Sequence, residues 1–132
     1  MKKVALITGA GSGIGKYTAI TLLQNEFHVI LCGRNLSKLE GTLAAAGSAG
    51  NQGTCLVTDV SNPTSVQSLF STVESKFGRL DILFNNAGTN IPGVLFEDIG
   101  WDQWNQVITT NLSGSFLCAQ AAYQLMKKQD PK

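Results

Sequence analysis

At 132 residues the chain has the length of one domain or a portion of one, which excludes a two-domain arrangement. Ten Lys+Arg against nine Asp+Glu leave a net charge of +1, which argues against a mainly electrostatic nucleic-acid binder or a polybasic membrane-surface protein. A hydrophobic content of 43% with only 14% charged residues excludes a disordered chain and points to elements covered on more than one side.

Residues 4–7 form a short apolar run stopped by Thr8 and Gly9, and residues 29–32 form a second stopped by Gly33. Both read as buried strands. Between them Ile14, Thr18, Ala19, Leu22 and Leu23 recur at helical spacing, so the chain opens strand, glycine turn, helix, strand. Leu36, Leu39 and Leu43 mark one face of a second helix, with Ser37 and Glu40 spaced for a capping box, and the pattern dissolves in the small residues 44–53. Residues 54–58 predict a third strand. Asn62 and Pro63 then suit a cap and first helical position, and Val66, Leu69, Phe70, Val73 and Phe77 make an amphipathic helix stopped by Gly78. Residues 80–84 predict a fourth strand that runs into Asn85, Asn86, Ala87 and Gly88, and a long helical pattern occupies 101–127. Strands alternating with helices imply an α/β fold, with a parallel sheet covered on both faces.

The turn after the first strand reads TGAGSGIGK. It is not a literal GxGxxG, because Ile14 or Lys16 stands where the last glycine would be. Nor is it a Walker A loop, because Ala10 replaces the first glycine and Tyr17 the magnesium-holding Ser or Thr. Glycines here let the backbone turn sharply and approach a ligand, while the helix amides face an anion such as a pyrophosphate. Closest approach is expected at Gly13. The same glycines also suit an ordinary strand-to-helix turn.

The end of the second strand, where ribose recognition falls in this architecture, carries Gly33, Arg34 and Asn35. An acid there would bind the adenosine ribose hydroxyls and repel a 2′-phosphate; an arginine without an acid favours NADP(H) over NAD(H).

Taken together the motifs resemble the short-chain dehydrogenase/reductase family over essentially the whole chain. Thr8, Gly9, Gly13 and Gly15 match its TGxxxGxG turn; Asp59 and Val60 match the end of its third strand; Asn85 to Gly88 match NNAG; and Asn111 in TTNLSGSF matches its helix asparagine. The resemblance implies a doubly wound, Rossmann-type sheet with strand order 3-2-1-4, incomplete at its carboxyl-terminal side, with all 132 residues forming the NADP(H)-binding portion of one domain. It implies cofactor contacts from Gly9, Gly11, Ser12, Gly13, Ile14, Gly15, Arg34 and Asn35, with Asp59 and Val60 on the adenine and Asn86, Ala87 and Gly88 beside the adenosine ribose. Asn111 is implied as a catalytic residue that distorts its helix so that its backbone carbonyl holds a relay water.

The family's chemistry also needs a serine and a YxxxK pair, the tyrosine acting as acid or base. Tyr123 and Lys127 match that spacing, but Tyr123 lies about 12 residues and roughly 18 Å of helix beyond Asn111, so the pair is rejected. The catalytic serine, tyrosine and lysine are expected beyond Lys132, which leaves these residues inactive alone and the fourth strand with an open apolar edge.

The implied reaction interconverts a ketone and a secondary alcohol; the alternative is a nucleotide-binding module without turnover. Three widely spaced cysteines suggest neither a disulfide framework nor a metal site, and fit a reducing, cytoplasmic setting. The expected partner is a small carbonyl or alcohol, with no nucleic acid or membrane, in a homo-oligomer whose helix contacts could use the small residues around Cys118. His28, Trp101 and Trp104 are expected to be structural.

Overall fold

The computed structural model describes residues 1–131. Strands β1 (Val4–Thr8), β2 (His28–Gly33), β3 (Gly53–Val57) and β4 (Ile82–Phe84) form one parallel sheet in the order β3-β2-β1-β4. Helices α1 (Gly13–Gln24), α2 (Leu36–Ala45) and α3 (Pro63–Phe77) connect them, and α4 (Trp101–Ile108) and α5 (Gly114–Met126) follow.

The unbroken apolar runs of β1 and β2 are explained by burial on both sides, with successive residues pointing to opposite faces. Leu6 and Ile30 enter one cluster with Val66, Leu69, Phe70, Val73, Cys118 and Leu125, beneath α3 and α5. Ile7, Val29 and Leu31 enter the other with Ala19, Leu23 and Leu39, beneath α1 and α2. Each fully buried Leu or Ile here stabilises the fold by about 1.5–3 kcal/mol relative to an exposed one.

One local expectation is corrected. The cap of α2 is Asn35, whose side chain accepts from the Lys38 amide, so Ser37 and Glu40 form no capping box. The helix gives way within the small residues, where its pattern fades, to a 3-10 turn over Gly47–Gln52. Ala119 is exposed on α5, and Cys118 and Ala122 pack into this chain's own core. Their small size lets α5 settle close to the sheet; one turn earlier, a Cβ on Gly114 would lie 2.8 Å from Val60 Cγ2.

The expected helix over 101–127 is interrupted. Thr109–Ser113 forms a π-helical turn between α4 and α5, centred on Asn111. No helix among the described residues is long and apolar enough to cross a membrane.

Candidate nucleotide-binding cleft

Parallel pairing brings the carboxyl ends of the strands level, Thr8 with Cys32 and Gly33 with Val57, and the connecting turns enclose a cleft above them. Its walls are Gly9, Gly11 and Ser12 from the first turn; Gly33, Arg34, Asn35, Lys38 and Leu39 from the second; Thr58, Asp59 and Val60 from the third; and Ala87, Gly88 and Thr110.

The first turn depends on glycine for two separate reasons. Gly9 and Gly13 have φ of +67° and +56°, a region that favours glycine. Gly15 is instead a close-packing position: a Cβ there would run into the Gly9 carbonyl and lie 2.5 Å from Asn86 Nδ2. At Gly13 a Cβ would meet no protein atom within 4 Å, so its positive φ rather than packing within the protein calls for glycine there. Ser12 precedes α1 without a side-chain capping bond, whereas Asn35 and Asn62 cap α2 and α3. The first amides of α1 therefore remain available to an anion at the turn.

Thr8 and Asn86 clasp this turn to the one after β4. The buried Thr8 hydroxyl accepts from the Asn86 and Ala87 amides at 3.0 and 2.9 Å. In return Asn86 Nδ2 donates to the Thr8 and Gly9 carbonyls at 3.2 and 3.3 Å. Asn86 therefore lies behind the cleft wall, while Ala87 and Gly88 line it.

At the end of β2, Arg34 is exposed on the rim and Lys38 follows one turn into α2. Asn35 Oδ1 is committed to the Lys38 amide, leaving its amide nitrogen free to donate. Gly11 admits this helix, since a Cβ there would lie 2.9 Å from Lys38 Cβ. No acidic side chain lines this end of the cleft; the one carboxylate in its wall is Asp59, beyond β3. Asp59 Oδ1 accepts from the Ser61 amide and hydroxyl at 3.0 and 2.7 Å, and Oδ2 has no partner among the described residues.

Asn111 uses its side chain to hold the loop after Gly88: Oδ1 accepts from the Thr89 amide at 2.7 Å and Nδ2 donates to the Thr89 carbonyl at 2.9 Å. Its backbone carbonyl accepts from the Ser115 hydroxyl at 2.9 Å. Asn85 Nδ2 donates to the Ser115 carbonyl, tying the same helix to the end of β4.

Of the residues singled out in the sequence, Gly9, Gly11, Ser12, Arg34, Asn35, Asp59, Val60, Ala87 and Gly88 meet in the cleft. Gly15, Asn86 and Asn111 support it from behind or beside. Gly13 and Ile14 lie outside its wall, in a shallow surface depression on α1, and Ile14 is exposed. Cys32, Lys38, Leu39, Thr58 and Thr110 also line the cleft and were missed in the sequence reading. Lys38 carried a usable signal, being a cation in the first turn of a helix that starts at the ribose end of the site. Thr110 carried none, because its facing depends on the π turn.

Cys32 forms part of the cleft floor, but burial pushes its thiol up to about 12, and that of Cys118 up to about 11, so neither supplies a thiolate nucleophile. Tyr123 is exposed, with the Lys127 ammonium 5.7 Å from its ring centre. Just beyond it, Gln129 accepts from the Leu80 amide and Lys128 lies 3.8 Å from Glu74, which puts this end of α5 beside the amino end of β4, away from the cleft.

The sequence profile described as short chain dehydrogenase matches residues 3–131. A 3beta-hydroxysteroid dehydrogenase of Mediterraneibacter gnavus is 37% identical over 126 residues, covering 96% of this chain and 46% of that protein. A short chain dehydrogenase/reductase of Aspergillus oryzae is 36% identical, over 96% of this chain and 49% of its own length. Among solved structures, ElxO with NADP bound superposes with a TM-score of 0.87 at 34% identity, covering 97% of this chain and 52% of that one. The chain spans about half the length of the relatives it matches.

Proposed function

From the premise that the chain belongs to the short-chain dehydrogenase/reductase family, we propose that it forms the NADP(H)-binding portion of an oxidoreductase acting on a ketone and its secondary alcohol. The observation that carries the cofactor choice is the end of β2, where Arg34 and Lys38 flank the cleft and no acid from that turn lines it. Two cations there suit a 2′-phosphate, and an NAD-type ribose contact has no carboxylate to make it. NADP bound to ElxO supports the same reading.

The residues fit the dinucleotide piece by piece. The glycine turn and the uncapped start of α1 suit the pyrophosphate. The unpaired Asp59 Oδ2 suits a base amino group, with Val60 against the ring, and Ala87 and Gly88 lie where the backbone can meet a ribose. Ile14 and Gly13, exposed at the start of α1, are assigned to the outer side of the same ligand. The chemistry the dinucleotide supplies when bound is hydride exchange with a carbonyl carbon. Asn111 is assigned to the proton path through its backbone carbonyl, while its side chain fixes the Thr89 backbone that borders the substrate side. A homo-oligomer and a reducing, cytoplasmic setting belong to the same proposal, the latter supported by three free cysteines.

Titration of the protein with NADPH and NADH tests the cofactor assignment. NADPH is expected to bind more tightly, and Arg34→Ala to weaken NADPH about ten- to a hundredfold while leaving NADH unchanged. Equal affinity of the unmodified protein for the two overturns it.

A further inference from the structure

We infer that Ser115 is a positioning residue for the proton path, its hydroxyl fixing the Asn111 backbone carbonyl, an inference that rests on the role proposed above for that carbonyl. The Ser115 hydroxyl donates to the Asn111 carbonyl at 2.9 Å. Serines and threonines inside helices often turn back in this way onto the residue four before them, and here Thr21 does so to Tyr17 and Thr72 to Ser68. Two features set Ser115 apart from these.

The first is a second tether. Asn85 Nδ2, at the end of β4, donates to the Ser115 carbonyl at 2.8 Å, so the residue that carries the hydroxyl is held to the sheet as well as to its own helix. Asn111 is thus fixed twice, through its side chain to the Thr89 backbone and through its carbonyl, by way of Ser115, to the end of β4. The second feature is the π turn. The Gly114 amide reaches back five residues to the Thr109 carbonyl, one more than in an α-helix, which widens the backbone around Asn111. In a widened turn the ladder sets the carbonyl directions less firmly, and the Ser115 bond supplies that direction at the middle of the turn.

A carbonyl oxygen has two lone pairs, so a hydroxyl fixed on it restricts the directions from which a water can approach. The alignment of that water decides whether a proton moves along it, because hydrogen bonds weaken steeply off line. Loss of the hydroxyl leaves the carbonyl in place but releases both its direction and the water it holds. Ser115 is half-buried and neutral, and it acts on the path through Asn111 without carrying the proton itself.

The test has a spectroscopic arm and a kinetic one. With carbon-13 at the asparagine carbonyls and nitrogen-15 in leucine, only the Asn35–Leu36 and Asn111–Leu112 peptide bonds of this chain give a paired NMR signal, because these are its two Asn-Leu sequences. Ser115→Ala is expected to move the Asn111 carbonyl signal upfield and to leave that of Asn35 in place; an unmoved Asn111 signal overturns the inference. In the full-length oxidoreductase, single-turnover oxidation of NADPH is followed with cyclohexanone, acetophenone and ethyl acetoacetate as carbonyl probes. Ser115→Ala and Ser115→Val are expected to slow that step about three- to tenfold, the value of one neutral hydrogen bond, and to enlarge its solvent deuterium isotope effect, with NADPH affinity and Tm unchanged. Ser115→Thr, which keeps a hydroxyl on the shape of valine, is expected to restore both. An unchanged rate, an unchanged isotope effect, a loss that threonine fails to restore, or an equal fall in NADPH affinity each overturns the inference. Failure of the unmodified enzyme to oxidise NADPH with any of the three probes, while NADPH still binds, overturns instead the oxidoreductase reading on which the inference rests.

Discussion

The two ends of the sheet are built on opposite principles. At the amino ends of the strands, polar groups are bonded to one another. Asp81 accepts from the Val4 amide at 2.8 Å and from both faces of the Arg79 fork, the Leu80 amide donates to Gln129, and the His28 ring lies 4.6 Å from that of Phe77 and 3.3 Å from the Thr54 hydroxyl. At the carboxyl ends, the start of α1 lacks a side-chain cap and one oxygen of Asp59 has no partner among the described residues. The lower end stabilises the fold with its polar groups. The upper end holds its groups in reserve on a backbone fixed by the Thr8 and Asn86 clasp.

That contrast can be broken most severely at Gly15. Adding a single methyl as Gly15→Ala forces the Gly9 carbonyl and the Asn86 amide apart, at a typical overpacking cost of about 1–3 kcal/mol. The expected result is a Tm lower by roughly 5–10 °C together with loss of measurable dinucleotide binding, read by thermal melts and titration. Full binding in Gly15→Ala would show that the clasp does not shape the upper end.

A smaller effect, confined to stability, is expected from Asp81→Asn at the lower end. The Arg79 fork, and secondarily the Val4 amide, hold the Asp81 carboxyl below its ordinary value of 3.8 against the opposing effect of burial. A depressed carboxyl contributes stability that is present above its unfolded pKa and is lost as pH falls through the folded one. The variant should therefore melt several degrees below the unmodified protein near neutral pH and converge with it in acid, as pH falls through the lowered carboxyl, with dinucleotide affinity unchanged throughout. A parallel loss of affinity would mean that the two ends are coupled.

The smallest expected effect is at His28. Burial, and then the Lys2 charge, lower its pKa from 6.5. The unfolded chain then takes up the proton first, so the unmodified protein loses a little stability as pH falls from about 7 through 6.5 toward the lowered value. His28→Gln should flatten that slope in denaturant midpoints measured between pH 5 and 7.5; an unchanged slope would place the titration elsewhere.

The sequence made the strands legible where burial on both faces left no polar interruption, as in β1 and β2. It was less informative at β4, which the apolar run places at 80–84 but which begins at Ile82, because Leu80 and Asp81 are engaged with Gln129, Val4 and Arg79. The π turn was invisible to periodicity. Ile108, Leu112 and Phe116 keep steps of four across it, and the buried row alongside consists mainly of small residues that carry little hydropathy signal. For the cleft, the glycine turn, the end of β2 and the Asn-Asn-Ala-Gly run could be read because each needs a particular residue type. Their division of labour could not: Asn86 bonds backbone behind the wall, Asn35 caps a helix, and Gly15 packs against the Gly9 carbonyl. These roles depend on which turns meet across the sheet, a property of topology rather than of any local run.

The clasp between the first and fourth strands also bears on how such a chain can change over generations. The Asn86 amide stands where a side chain at position 15 would begin, and it holds the carbonyl that the same side chain would strike. A larger residue at 15 would strike the Gly9 carbonyl even beside a shorter residue at 86, and a shorter one at 86 abandons the Thr8 and Gly9 carbonyls. Neither change is a step that can be taken first without loss. Positions 15 and 86 are therefore constrained by one and the same backbone carbonyl, although 70 residues of chain lie between them.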